Sequence, residues 1–365
     1  MSNDLRYMKR AISLAKRGAG WVNPNPMVGA VLVKDDVIIG EGFHEFFGGD
    51  HAEVKALKNV PEQSAAGSTL YVTLEPCSHH GKTPPCANLI AEKKISRVVV
   101  GMADPNPRVN GQGIALLQSA GINVEVGLME PQIRELNEVF IKYILTNRPF
   151  VVLKTAMTLD GKIATVTNAS RWITGEASRK KVHLLRQGLS AVMVGVDTII
   201  SDDPLLNIRL KGSWKNPLKV IADTHGRISA DAKIFTNDPQ LTLLATTNLA
   251  DPQKTKQIER LGAQIVVCPL KNGRVDLGFL VNSLGAMGID SVMIEGGSTL
   301  AFAALQEGMV DKVITFIAPK ILGGATAPTA VGGTGISKME DAINLRNLRM
   351  KKIGSDLMLE GWIGS

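Results

Sequence analysis

Apolar and polar positions alternate along this chain with two periods, one helical and one extended. Residues 4–17, DLRYMKRAISLAKR, set Leu5, Met8, Ile12 and Ala15 on one side of a 3.6-residue repeat, and Gly18 stops the run, which predicts a helix. AVLVKDDVIIGEG predicts a hairpin with strands at 30–33 and 37–40 and a turn at Lys34–Asp36. From residue 51, HAEVKALKNV predicts a short helix. STLYVTLEP, SRVVVGM and NVEVG predict strands. CANLIAEKKI, GQGIALLQSAGI and the segment 132–145 predict one helix each. This alternation predicts a three-layer α/β domain over residues 1–146.

TNRPF, at 146–150, is the expected boundary, because Pro149 breaks the helix before it. A second alternation follows, with strands expected at 151–156, 191–194, 218–222, 241–245, 264–267, 291–294 and 312–318. Helices are expected at 176–187, 253–260, 277–286 and 299–306, giving a second α/β unit over 150–365 with its own core. A length of 365 residues also exceeds one ordinary core and points to two domains.

Composition narrows the class. Apolar residues make up 44% and charged residues 21%, as in soluble globular proteins. No apolar run reaches the roughly 18 residues of a membrane span. The first residues, MSNDLRYMKRAISLAKRG, carry charges inside their apolar pattern, so a cytoplasmic location is expected. The net charge of +7 suggests an anionic partner. The charges are scattered and aromatic residues are only 4%, which favours a small phosphorylated ligand over nucleic acid.

The chemistry concentrates in LEPCSHHGKTPPC, residues 74–86, which holds two of the three cysteines. An odd, low cysteine count in a reducing compartment ranks metal binding or catalysis above a disulfide. Upstream, HAE supplies His51 and Glu53. His51, Cys77 and Cys86 are the expected zinc ligands: two thiolates and one neutral imidazole balance the ion's charge and leave a fourth place for water. Glu53 is expected beside the metal as the catalytic proton carrier. His79 and His80 are rival ligands, and Lys82 and His80 are candidate phosphate or base contacts. Cys268, after an apolar strand, is expected to be structural.

HAE followed by PCSHHGKTPPC resembles the zinc-dependent cytidine/deoxycytidylate-type deaminases, whose signature is H-x-E and then P-C-x-x-C. Here eight residues separate the cysteines. P-C-x-H-x-G-x-T-P-P-C, NPNPMVGAVLV and DPNPRVNGQGI are similar to the riboflavin-pathway pyrimidine deaminases. That resemblance implies a cytidine-deaminase-like fold and hydrolytic removal of an exocyclic amine from 2,5-diamino-6-(5-phosphoribosylamino)pyrimidin-4-one. It also implies that Glu53 shuttles protons, and that Asn23 and the histidine–glycine loop shape the base pocket.

The second half has no G-x-G-x-x-G dinucleotide fingerprint. LKTAMTLDGKIA, SRWIT, VHLLRQGLSAVMVGVDTIISDDPLLNIR, VIADTHGRI, IEGGSTLAFAAL and IAPKILGG resemble the reductase half of bifunctional riboflavin-synthesis deaminase–reductases. The likeness spans almost the whole chain and implies a dihydrofolate-reductase-like fold. The implied reaction uses NADPH to reduce the ribosyl group of 5-amino-6-(5-phosphoribosylamino)uracil to ribityl. The substrate residues implied are Ser170, Arg186, Leu206, Arg209 and Glu295, with Lys154 beside them. The cofactor wall implied is Ala156, Trp172, Thr198, Asp202, Thr224, Gly296, Gly297, Ser298, Thr299 and Leu300. Lys154 and Asp202 are the candidates for proton transfer, and Arg171 and Arg227 for the 2′-phosphate. Asn168–Ser170 and Asn207 depart from the family pattern, which more often has a glycine before that serine and a threonine in place of Asn207. The expected partners are phosphoribosylated pyrimidines and a second copy of the chain (dimer or tetramer), with no nucleic acid and no membrane. The alternative is a nucleic-acid base deaminase with an accessory binding domain.

Overall fold

A computed structural model describes residues 3–78, 85–107 and 109–364. The chain divides into two compact units, Met1–Asn147 and Arg148–Ser365.

The first unit runs α1 (Asn3–Ala15), β1 (Gly29–Lys34), β2 (Val37–Phe43), α2 (Ala52–Leu57), α3 (Glu62–Ala65), β3 (Thr69–Leu74), α4 (Cys86–Glu92), β4 (Arg97–Met102), α5 (Gln112–Ser119), β5 (Asn123–Val126), α6 (Glu130–Leu136) and α7 (Glu138–Thr146). Its sheet has the order β2-β1-β3-β4-β5, with β1 antiparallel to both neighbours and β3, β4 and β5 parallel. Successive side chains of a strand point to opposite faces. Leu32, Leu70, Val72, Val98 and Val100 therefore pack with Ala56, Leu57, Ile90 and Leu117 of α2, α4 and α5. Val31, Tyr71 and Val99 pack with Met8, Ile12 and Ile133 of α1 and α6. Both faces are covered, which explains why the central strands read as continuous apolar runs. Asp35 and Asp36 close the β1–β2 hairpin at φ of 50° and 58°, the conformation a two-residue turn of this hand requires.

The single helix expected over 132–145 is two helices, broken at Asn137 (φ −107°, ψ 21°). Asn137 is 1% exposed. Its Nδ2 donates to the Met27 carbonyl and its Oδ1 accepts from the Met27 N–H, at 3.1 and 2.8 Å. A buried amide that satisfies another segment's backbone outweighs one turn of helix.

The second unit runs β6 (Phe150–Thr158), α8 (Glu176–Gly188), β7 (Ala191–Gly195), α9 (Val196–Asp202), β8 (Leu218–Ala222), β9 (Thr242–Thr246), α10 (Pro252–Arg260), β10 (Gln264–Val267), β11 (Leu270–Lys271), β12 (Arg274–Val275), α11 (Leu277–Ala286), β13 (Ser291–Ile294), α12 (Ser298–Gln306), β14 (Lys312–Ala318), β15 (Arg346–Ile353) and β16 (Asp356–Trp362). The order is β10-β9-β8-β7-β13-β6-β14-β16-β15, parallel from β10 to β14 and antiparallel through β16 and β15. Met193, Val220, Leu243, Leu280, Val292 and Ala304 lie in its main core. Adjacent β7, β13 and β6 bring their carboxyl ends together, the edge at which parallel sheets bind ligands. Among the described residues, no helix is long and apolar enough to cross a membrane.

Candidate active sites

In the first unit three chain segments meet at the end of the sheet. His51 is the residue before α2, Cys77 follows β3 by two residues of loop, and Cys86 opens α4. Their ligand atoms all lie within 4.8 Å of one another. His51 Nδ1 is 3.5 Å from Cys77 Sγ and 3.3 Å from Cys86 Sγ. Nitrogen and sulfur on one tetrahedral zinc, with bonds of about 2.05 and 2.3 Å, stand about 3.5 Å apart, so the edges fit that ion. The Cys86 N–H donates to Cys77 Sγ at 3.3 Å, and the Ala87 N–H to the Cys77 carbonyl at 3.2 Å, closing the loop between the cysteines. The Cys77 thiol falls to about 4, chiefly through its hydrogen bond with Cys86 and against burial, while Cys86 is raised by the same contact and keeps the shared proton. Converging donors with one thiolate already favoured is the chemistry of a cation site. His79, His80 and Lys82 lie outside the described residues.

Glu53 is in the first turn of α2, 3% exposed. Burial pushes its carboxyl up to about 7, against the pull of His51. The cluster opens on a cavity of about 260 Å³ lined by Asn25, His44, Glu53, Asp104, Asn106 and Phe140, among others. His44 is buried between two partners: its Nδ1 is 3.1 Å from the Asp50 carbonyl and its Nε2 is 3.1 Å from Asn25 Nδ2. The first contact is donated by His44 and the second by Asn25, which keeps the ring neutral, and burial lowers its pKa. Glu75, between β3 and Cys77, accepts four backbone N–H groups, from Asp104, Gly111, Gly113 and Ile114.

In the second unit the central feature is a buried carboxylate among cations. Arg186 on α8 forks onto Glu295 at the end of β13, Nε to Oε1 at 2.6 Å and Nη2 to Oε2 at 2.9 Å. Lys154 on β6 reaches Oε2 at 3.4 Å. Burial alone would raise Glu295, but Arg186 and then Lys154 outweigh it and hold the carboxyl at about 2. Arg186 Nη1 also donates to the Asn207 carbonyl at 2.9 Å, and Arg209 Nη1 donates to Asn207 Oδ1 at 2.9 Å. Arg209 is lowered by desolvation and then by Arg186 beside it. One carboxylate against Arg186, Arg209 and Lys154 leaves excess positive charge, which suits a phosphate. Ser170 Oγ donates to Asp202 Oδ1 at 3.1 Å, and Arg171 Nη2 donates to the Asp202 carbonyl.

The glycine turn after β13 fits a dinucleotide. Gly296 and Gly297 have φ of 102° and 82°, and a Cβ at either would stand 3.6–3.8 Å from Thr198 Oγ1. The turn leads into the start of α12, where N–H groups favour phosphate. Trp172 is 61% exposed, with the Arg179 guanidinium 4.5 Å from its ring centroid, a face for a flat ring to stack on.

Residues 149–359 match the RibD C-terminal domain, and residues 1–102 match the cytidine and deoxycytidylate deaminase zinc-binding region. The chain belongs to the RibD family. It is 46% identical to the riboflavin biosynthesis protein RibD of Actinobacillus pleuropneumoniae over 98% of this chain and 94% of that protein. It is 38% identical to the RibD of Escherichia coli K12 over 98% of each. The solved structure of Acinetobacter baumannii RibD superposes with a TM-score of 0.88 at 39% identity, covering 100% of this chain and 99% of that one. A Thermotoga maritima structure, named a diaminohydroxyphosphoribosylaminopyrimidine deaminase/5-amino-6-(5-phosphoribosylamino)uracil reductase, gives 0.85 at 38% identity and 99% coverage of both.

Membership of the RibD family gives a frame for the remaining candidates. Leu206 is buried with φ of 52°, which turns the chain so that Asn207 meets both arginines. Asn168 holds φ of 64°, a region asparagine tolerates in place of glycine. Thr224 Oγ1 accepts the Val275 N–H at 3.2 Å and so anchors the β11–β12 hairpin. Leu300 is in the core, so only its backbone can face a ligand, while Ser298 and Thr299 are half-buried. Ala156 is half-buried on β6, paired with Phe316. Arg227 pairs with the exposed Asp197 at 2.6 Å. Asn23 is half-buried, and the wall of the cavity in its loop is made by Asn25 and Pro26. Sequence reasoning did not single out Asn25, His44, Glu75, Asp104, Asn106 or His183. Three of these, Asn25, Asp104 and Asn106, lie in the N-P-N-P and D-P-N-P motifs, the signal that was available. His183 carries a buried Nδ1 without a hydrogen-bond partner among the described residues, and its pKa is driven to about 4 by burial and then by Arg186 and Arg209.

Proposed function

We propose that this chain performs two steps of riboflavin biosynthesis. The first unit converts 2,5-diamino-6-(5-phosphoribosylamino)pyrimidin-4-one to 5-amino-6-(5-phosphoribosylamino)uracil, and the second reduces the ribosyl group of that product to ribityl with NADPH. The observation that carries this reading is the His51–Cys77–Cys86 cluster beside a buried carboxyl that is not part of it.

His51, Cys77 and Cys86 would hold a zinc ion, which would supply a water activated near neutral pH. Glu53, with a pKa near neutrality, takes a proton from the attacking water and delivers it to the exocyclic nitrogen. The carbon–nitrogen bond breaks, ammonia leaves and the ring keeps a carbonyl. Asn25, Asp104 and Asn106 offer hydrogen bonds to the edge of the base.

The Gly296–Leu300 turn and Trp172 would hold NADPH, which would supply the hydride. In the second unit Arg186 and Arg209 grip the 5-phosphate. Lys154 Nζ protonates the ribose ring oxygen, which remains a hydroxyl in the ribityl product, as the ring opens to an iminium at C1. Hydride at C1 then leaves a neutral secondary amine, and the lysine regains its proton from solvent with Asp202 as the second proton-transfer group. Glu295 keeps Arg186 and Lys154 in place.

Ammonia release and NADPH oxidation measured on one preparation test the reading. Ammonia should appear from the diamino nucleotide without any pyridine nucleotide, and NADPH should be consumed only once that product has formed. A nucleic-acid base deaminase would instead bind RNA with an affinity falling steeply in salt. RNA binding of that kind, with no turnover of the free nucleotide, would overturn the reading.

A further inference from the structure

We propose that Glu75 is a positioning residue of the deaminase site: its carboxylate hangs the stretches 104–107 and 109–114 as the cavity wall facing the His51–Cys77–Cys86 cluster. This rests on reading the first unit as a deaminase. Glu75 follows the last residue of β3, and its N–H continues the ladder to β4 by donating to the Met102 carbonyl at 3.0 Å. The side chain is 4% exposed. Its Oε2 accepts from the N–H of Asp104 at 3.0 Å and of Gly111 at 3.0 Å. Its Oε1 accepts from Gly113 at 2.9 Å and Ile114 at 3.3 Å. A carboxylate has about four acceptor positions, so the group is saturated by backbone. It has no room left to serve as a metal ligand or proton carrier.

The four donors fall on two structures. Gly111, Gly113 and Ile114 are the cap and first turn of α5, whose unpaired N–H groups favour a negative charge. The Asp104 N–H opens a compact turn: Asp104 Oδ1 accepts the Asn106 N–H at 2.8 Å, and the Val109 N–H donates to the Asn106 carbonyl at 2.9 Å. Asp104, Asn106 and Val109 from this turn line the cavity with Glu53 and His51. A Cβ on Gly113 would stand 1.9 Å from the Pro76 carbonyl oxygen, so the segment docks on the Glu75–Pro76 backbone in one register. Glu75 thereby couples the wall that would face the substrate to the strand end that carries Cys77. Side chains on such a wall bind ground state and transition state alike, so their displacement raises KM more than it lowers kcat.

Glu75→Gln tests this on the full chain, because its amide NH2 faces two of the four N–H donors. The expected result is a roughly tenfold rise in KM for the diamino nucleotide, with kcat within about threefold. Zinc content and NADPH oxidation should stay at the wild-type level. Glu75→Asp, which keeps the charge, should recover part of the KM. Unchanged KM, a kcat loss at constant KM, or loss of zinc would each overturn the proposal. Should the first unit of Glu75→Gln fail to fold, seen as loss of its unfolding transition in urea, Glu75→Asp is judged alone: a KM raised with zinc retained supports the proposal, and an unchanged KM overturns it. Wild-type ammonia release reports separately on the deaminase reading.

Discussion

Glu53 and Glu295 are both buried carboxylates, and their surroundings drive them in opposite directions. Burial dominates at Glu53 and lifts it to about 7, whereas at Glu295 Arg186 and Lys154 overcome burial and hold it at about 2. The first is suited to carry a proton at neutral pH and the second to remain a fixed charge. Glu53→Gln keeps the size of the side chain and removes the proton carrier. Ammonia release should fall roughly 10²- to 10⁴-fold with zinc and NADPH oxidation retained, as measured by paired assays and metal analysis. Loss of zinc in that variant would contradict the role. His183 gives a pH prediction. Its folded pKa is about 4 against an ordinary 6.5, because burial and the cations Arg186, Arg209 and Lys154 oppose its protonation more than Glu295 favours it. The unfolded chain takes up that proton first, so the stability this group contributes is lost as pH falls from 6.5 towards 4, and His183 itself adds no slope above that window. Urea midpoints should follow this slope, and His183→Asn should flatten it; an identical slope in the variant refutes the assignment. His51, Glu53, Cys77 and Cys86 were legible because their types and spacing are unusual in the linear chain. His44 and His183 were not, because their chemistry comes from neighbours distant in sequence.

At the scale of elements, the strands and helices with strong periodicity are where the pattern places them. The differences have separate causes. Asn137 breaks a regular helix because its amide serves Met27, a partner 110 positions away. β15 is exposed at nearly every position and shows no alternation, so an edge strand of this kind carries no hydrophobic signal. α9 follows β7 directly, Gly195 being the last residue of the strand, and the two merge into one apolar stretch. Glycine content likewise conceals close packing. A Cβ on Gly29 of β1 would stand 2.0 Å from the Ala11 carbonyl oxygen and 2.8 Å from the Ala15 nitrogen, both backbone of α1. Gly29→Ala must push α1 off the sheet and should cost at least about 1–3 kcal/mol in chemical denaturation of the first unit. Gly188→Ala meets nothing within 4 Å and is the control, expected to be near neutral. Equal denaturation midpoints for the two variants would mean that α1 does not lie so tightly on β1.

At the scale of the whole molecule, the two units have separate cores and separate clusters of functional groups. The deaminase cavity is lined from Asn25 to Ile144, while Lys154, Arg186, Arg209 and Glu295 all belong to the second unit. Chemistry built this way should fail one half at a time. Cys77→Ser removes a thiolate donor and should abolish ammonia release while leaving NADPH oxidation on the deaminated nucleotide intact. Arg209→Gln acts on an exposed cation that is bonded to Asn207 but not to Glu295, so it should weaken the reductase without unfolding it. Its effect should be a raised KM for the phosphorylated substrate, with ammonia release unchanged. Mixing the two variants then decides whether one chain must carry both working sites. If the deaminated nucleotide passes through solution, the mixture should convert the diamino nucleotide to the ribityl product, with a lag that shortens as protein concentration rises. Each variant losing both activities would show that the two sites depend on each other and would defeat the separation argued from their cores.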